Sequence, residues 1–175
     1  MVEEATSPHS LTSLGSLLCL LSGDSHLWLA ELRPRPDAEV SAARQAVLPL
    51  PGRDAAHYIS CCLLAAGPAG ARVALLGERK NKERFVSVVA VVVAGRALAL
   101  GEELASYDKV AMLGKNLSHL AAGVPEAGGE DLYVFGSIVR KLRVEEEGRV
   151  VRPTAGRAPL PPDCVDGTIA VCVAG

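Results

Sequence analysis

The sequence predicts an all-β protein, a β-sandwich or barrel of short strands, and three observations carry that expectation. The stretch Arg84 to Gly95, RFVSVVAVVVAG, holds nine apolar residues among the ten from Phe85 to Ala94, six of them valine. Shorter apolar runs recur along the chain, each closed by Gly, Pro or charge, at the roughly 8–12 residue spacing typical of sandwiches and barrels. Few stretches sustain a helical period against them.

The valine run is too short for a membrane span, which needs about 20 apolar residues. Lys80, Lys82, Glu83 and Arg84 close it on one side and Gly95-Arg96 on the other. β-Branching separates the two remaining choices, a strand and a buried helix. Valine loses rotamer freedom against the preceding turn of a helix, whereas it packs well on a pleated surface. A strand buried on both faces is expected, with a fully buried helix as the alternative.

A chain of 175 residues fits one domain and can bury a core without staples. Apolar residues make up 49% of it but aromatics only 3%, so Leu, Val and Ala must fill the interior. With 18 basic and 20 acidic residues the net charge is −2, which argues against a whole-surface affinity for nucleic acid or anionic membrane. Five cysteines, Cys19, Cys61, Cys62, Cys164 and Cys172, show no CxxC spacing, so neither a disulfide framework nor a zinc site is expected. Cys61 and Cys62 should point to opposite faces of a strand. The acidic Glu3-Glu4 and the short apolar run from Leu17 to Leu21 do not read as a secretory signal, so a reduced intracellular setting is expected.

Taken in order, residues 1–10 read as a flexible N-terminus, 11–152 as the sandwich core and 153–175 as a Pro-rich linker with a terminal strand. Leu14 to Leu21 and His26 to Leu32 form a hairpin about Ser22-Gly23-Asp24, ended by Pro34 and Pro36. Residues 37–54 mix helical and loop character and read as a connection with one helical turn. His57 to Leu64 alternates Tyr58, Ser60 and Cys62 with Ile59, Cys61 and Leu63, and Gly67-Pro68 stops it. Ala71 to Leu76, the polar tip GERKNKER and the valine run make a long hairpin. Ala97 to Leu100 and Lys109 to Leu113 are shorter candidates, separated by GEELASYD. Leu132 to Val139 reads as one strand with a bulge at Gly136, and Glu147-Gly148 turns the chain between two valine-bearing arms. After the prolines of 153–162, Thr168 to Val173 is the last strand.

The order of these pieces resembles the core domain of the nucleoplasmin family, including its FKBP-linked and plant histone-deacetylase-like relatives. The resemblance rests on HYISCCLLAAG from His57, on GARVALL with Arg72 and Val73, and on KERFVSVVAV with Lys82, Glu83, Phe85 and Val86. It continues in KVAMLGKNLSHLAAG, with Gly114, His119, Leu120 and Gly123, and upstream in LGSLLCLLSGDSHLWLAEL, so that it covers residues 11–123. The resemblance implies an eight-stranded jelly roll, a homo-oligomeric ring of five, chaperoning of basic proteins such as histones, and a nuclear or nucleolar location, with the cytoplasm as the alternative. One departure bears on the cargo. The longest acidic run is Glu145-Glu146-Glu147, and the tip that would match an acidic loop is basic.

No catalytic, cofactor-binding or metal-ligating residues are assigned. His57 with Cys61 or Cys62 lacks a third group to orient a nucleophile, His9, His26, His57 and His119 are isolated, and no glycine run fits a phosphate loop. A non-catalytic protein without cofactor is therefore expected. The candidate partner-binding residues are the basic tip, Arg79, Lys80, Lys82 and Arg84, for nucleic-acid phosphates or an acidic segment, and the acidic pairs and run Glu102, Glu103, Glu145, Glu146 and Glu147. The plainer role of the tip is to keep two hydrophobic strands soluble. Two functions follow: an oligomeric nucleoplasmin-like chaperone or scaffold, or a sandwich adaptor that joins a larger complex through a strand edge or the tip. No membrane partner is expected.

Overall fold

A computed structural model describes residues 8–14, 16–22, 26–34, 40–49, 57–67, 70–94, 97–108, 118–126, 128–136, 138–145 and 148–159. Twelve strands occupy nearly all of them, and no α-helix occurs among the described residues. They are β1 (Pro8–Leu14), β2 (Leu17–Ser22), β3 (His26–Pro34), β4 (Val40–Pro49), β5 (His57–Gly67), β6 (Gly70–Glu78), β7 (Arg84–Ala94), β8 (Ala97–Tyr107), β9 (His119–Glu126), β10 (Gly129–Phe135), β11 (Ile138–Glu145) and β12 (Val150–Pro159). The strands form three antiparallel four-stranded sheets in chain order, β1-β2-β3-β4 (sheet A), β5-β6-β7-β8 (sheet B) and β9-β10-β11-β12 (sheet C). Each sheet is an up-and-down meander, so every hydrogen-bonded neighbour is also a neighbour in sequence. A jelly roll instead pairs strands distant in sequence.

Sheet B lies between the other two, because its strands present apolar side chains to both faces. Val73, Leu75, Phe85, Val89 and Val91 join Cys19, Leu21, Leu27 and Leu29 of sheet A in one core. Ala74, Leu76, Val86 and Val88 join Leu120, Leu132, Val134, Leu142 and Val144 of sheet C in a second. The valine run is thus a strand with two buried faces, as its composition predicts, until Val92, which is 45% exposed. Each full burial of such a side chain stabilises by about 1.5–3 kcal/mol relative to exposure. Cys61 and Cys62 point to opposite layers, Cys61 into the A/B core and Cys62 into the B/C core. A register shift between Tyr58 and Ser60 breaks the simple alternation of β5, so Tyr58 and Cys61 face the same layer.

The hairpin of β6 and β7 pairs Glu78 with Arg84 and Gly77 with Phe85. A Cβ at Gly77 would lie 2.4 Å from Phe85 Cζ, so the missing side chain is what lets the ring lie across the strand. Phe85 is fully buried and meets Tyr58 edge to face, with ring centroids 6.0 Å apart.

At the free edge of sheet B, side chains of β1 take the place of a neighbouring strand. Ser10 Oγ accepts from Cys61 N–H at 3.2 Å and Thr12 Oγ1 from Leu63 N–H at 3.4 Å, each two residues on from the last. The matching spacing follows from the two-residue period of both strands. Ser60 Oγ extends the seam to sheet C by accepting from Leu120 N–H at 3.1 Å. Backbone donors of the edge strand that no neighbouring strand serves are thereby satisfied without opening the sheet to a foreign strand.

Several elements differ from the sequence expectation. The first hairpin begins earlier, with β1 at Pro8 and a turn before Leu17, so Leu14 to Leu21 is two strands. Residues 40–49, expected as a connection with a helical turn, are β4, paired along its length with β3. GEELASY is no separator but the second half of β8, opposite β7. β9 was not expected as a strand. Gly136 is at the turn between β10 and β11 rather than in a bulge. Residues 150–159, in large part expected as linker, form β12, where edge position tolerates Pro153 and Pro159. The turn at Gly148 stands as expected, at φ +94°, where a Cβ would lie 2.9 Å from Arg72 Cδ. The expected strands at 109–113 and 168–173 lie outside the described residues.

Candidate functional site

The basic tip is built by a tight turn in which Lys82 N–H donates to Arg79 C=O at 2.9 Å and Arg79 N–H to Glu83 C=O at 2.8 Å. Lys82 takes a left-handed conformation, φ 67°, to close it. Asn81 Oδ1 accepts from Glu83 N–H at 3.1 Å, which fixes the turn from inside.

The charges of the tip are matched at close range. Arg79 lies 4.9 Å from the centroid of Phe85, with Nη2 2.6 Å from Asp108 Oδ1 and Nη1 3.9 Å from Glu83 Oε2. Glu78 receives Lys82 Nζ at 3.1 Å on one oxygen and Arg84 Nε at 3.0 Å on the other. His57 Nε2 is 4.0 Å from the same carboxylate. Burial would raise Glu78, but the hydrogen bonds and charges of Arg84 and Lys82 outweigh it and hold the carboxyl below its ordinary value. Three cations of the tip, Arg79, Lys82 and Arg84, therefore share three nearby anions, Glu78, Glu83 and Asp108, while Lys80 stands exposed at the apex.

The acidic candidates do not gather into one surface with the tip. Glu102 is exposed and 3.8 Å from Arg149 Nη2, Glu103 is half-buried opposite Val89, and Glu145 is 3.6 Å from Arg152 Nε. Glu146 and Glu147 lie outside the described residues.

Sequence reasoning missed two surfaces. On the outer face of sheet C, Asp131 lies between Lys141 and Arg143, with contacts of 3.1 Å to each. Burial opposes the charged form of Asp131, yet the two cations win and hold it low. The outer face of sheet A is apolar. Register aligns Leu11, Leu20 and Trp28 across β1, β2 and β3, and the next row holds Ser13, Leu18 and Ala30. Leu11 is 64% exposed, and Leu18, Leu20 and Trp28 are half-buried. The alternation of Cys19 and Leu21 with Leu18 and Leu20 carries this signal, since a strand with an apolar residue at each of these positions has an oily face on each side.

Among the described residues no three His, Cys, Asp or Glu side chains are grouped to hold a metal ion. No helix among them is long and apolar enough to cross a membrane. His57 is largely exposed beside Glu78, while Cys61 is buried between sheets A and B, so the pair does not form a nucleophile with its base. No protein-family model matches the chain, and no curated protein matches it.

Proposed function

We propose that the protein is a non-catalytic assembly scaffold that associates with further copies of itself through the outer face of sheet A. The observation that carries this is the uncharged row Leu11, Leu20 and Trp28, with Leu18 beside it, on the side of sheet A turned away from the core. The chain already buries sheet faces of this kind twice internally, against both sides of sheet B. A second copy related by a two-fold axis would lay one such row on another, and a net charge of −2 opposes that approach weakly.

The nucleoplasmin-like expectation shares this element, because its ring also seals apolar strand faces between protomers. Its five-membered ring, histone cargo and nuclear location remain a narrower form of the proposal, without the jelly-roll strand order, which the meanders among the described residues do not have. Support for the cargo is weak: Glu102 and Glu145 each stand beside an arginine, and the tip is basic. The adaptor alternative joins a foreign partner through a strand edge or the tip instead, and the pairing of Arg79, Lys82 and Arg84 with local carboxylates favours a solubilising tip over a nucleic-acid contact.

Native mass spectrometry at micromolar concentration tests the proposal, comparing the parent chain with Leu20→Glu and Trp28→Glu. Two or more copies in the parent and a monomer in both variants are expected. Five copies would favour the ring. A folded, monomeric parent would overturn self-association and leave the adaptor.

A further inference from the structure

Cys19 of β2 and Cys61 of β5 meet across the layer between sheets A and B, the Cys19 thiol donating to the Cys61 sulfur at 3.8 Å. Both are almost wholly buried, at 0% and 1% exposure, and each stands on a different sheet, 42 residues apart in the chain. Since disulfide sulfurs are about 2.05 Å apart, side-chain rotation with a small approach of the sheets must close roughly 1.8 Å. Cys62 is adjacent in sequence but faces the B/C core, with its thiol 3.6 Å from Leu63 C=O.

We propose that Cys19 and Cys61 form an oxidisable dithiol that hydrogen peroxide converts into a disulfide, fixing sheet A covalently onto sheet B. The Cys61 thiolate attacks one peroxide oxygen, the O–O bond breaks, and the departing hydroxide takes up the thiol proton as water, leaving Cys61 as a sulfenic acid. The Cys19 sulfur then attacks the Cys61 sulfur, the S–O bond breaks, and the oxygen leaves as a second water with the Cys19 proton. Two thiols and one peroxide give one disulfide and two waters.

The two sulfurs have different roles. The hydrogen bond from Cys19 favours the Cys61 thiolate against the opposing effect of burial, and contacts from Ser10 and Leu21 add to it. Cys19, which gives that hydrogen bond and is itself buried, is held well above the ordinary thiol range and acts second. Cys62 is pushed up to about 12 by burial and by the neighbouring Cys61, so it is the internal control. This inference is independent of self-association: a monomer that forms the crosslink would overturn only the assembly proposal.

The test is peroxide treatment of the full chain, followed by alkylation in denaturant and peptide mapping without reductant. The expected product is lighter by two hydrogens, links the Cys19 peptide to the Cys61 peptide, reverts with dithiothreitol and unfolds at a higher temperature than the reduced protein. Cys62→Ser should retain the link and Cys61→Ser should lose it. The proposal fails if Cys19 and Cys61 stay alkylatable after treatment, if Cys62→Ser abolishes the link, or if Cys61 advances to sulfinic acid unpaired.

Discussion

The two interlayer cores share β5, β6 and β7 yet differ in chemistry. Between sheets A and B the polar groups are sulfur and hydroxyl, with no ion pair among them: Cys19 and Cys61 face each other, and the Ser10 and Thr12 hydroxyls serve backbone donors of β5. Between sheets B and C a charged pair is enclosed, Arg72 Nη2 lying 3.7 Å from Glu130 Oε2 with side-chain exposures of 11% and 3%. One strand register assigns both cores, since consecutive residues of β6 alternate between them. Burial on both faces of sheet B therefore makes register costly to change, while the choice of neutral or charged partners decides how each layer responds to substitution and acid.

The largest effects should come from breaking one core at a time. Phe85→Ala empties the A/B side and removes the ring under Arg79, and should destabilise by about 3–5 kcal/mol in chemical denaturation. Glu130→Leu should cost about 3–5 kcal/mol by removing the buried carboxylate beside the Arg72 guanidinium, whereas adding Arg72→Met should recover most of the loss. Recovery in the double variant would separate a paired buried charge from simple packing, a distinction the A/B core does not offer.

A smaller loss, about 1–3 kcal/mol, is expected for Gly77→Ala, whose methyl would meet the Phe85 ring with little room to move. Acid should act on the charged elements and spare the A/B seam. Asp131 and Glu78 are held below their ordinary values in the folded chain, so their stabilisation is complete above the unfolded carboxyl values, about 3.9 and 4.3. It is lost as pH falls through the lowered folded values. Denaturation midpoints should thus hold from neutrality to near those values and then drop, and Asp131→Asn should blunt the drop. The smallest effect is Lys82→Gly, which relieves the left-handed strain by about 1 kcal/mol against a screened surface pair, so a slight rise in melting temperature is expected.

What could be read in advance follows from how local each signal is. The valine run declared both its strand character and its two buried faces, because β-branching and length are properties of the segment itself. The divergence of Cys61 and Cys62 followed from alternation alone. β4 was not legible: VSAARQAVLP has helical propensity, and its strand form comes from pairing with β3. Likewise GEELASY resembles a polar turn until β7 lies beside it. The tip was visible as a basic cluster, but its neutralisation was not, since Asp108 reaches Arg79 from 29 residues away. The grouping of twelve strands into three meanders depends on non-local pairing that no short window contains.

Hydrogen exchange followed by mass spectrometry weighs the doubly covered middle layer against its neighbours. Amides of β6 and β7, residues 70–94, should exchange more slowly than those of sheets A and C. Exchange in that hairpin as fast as in β1–β3 or β9–β12 would contradict a three-layer stack with sheet B inside.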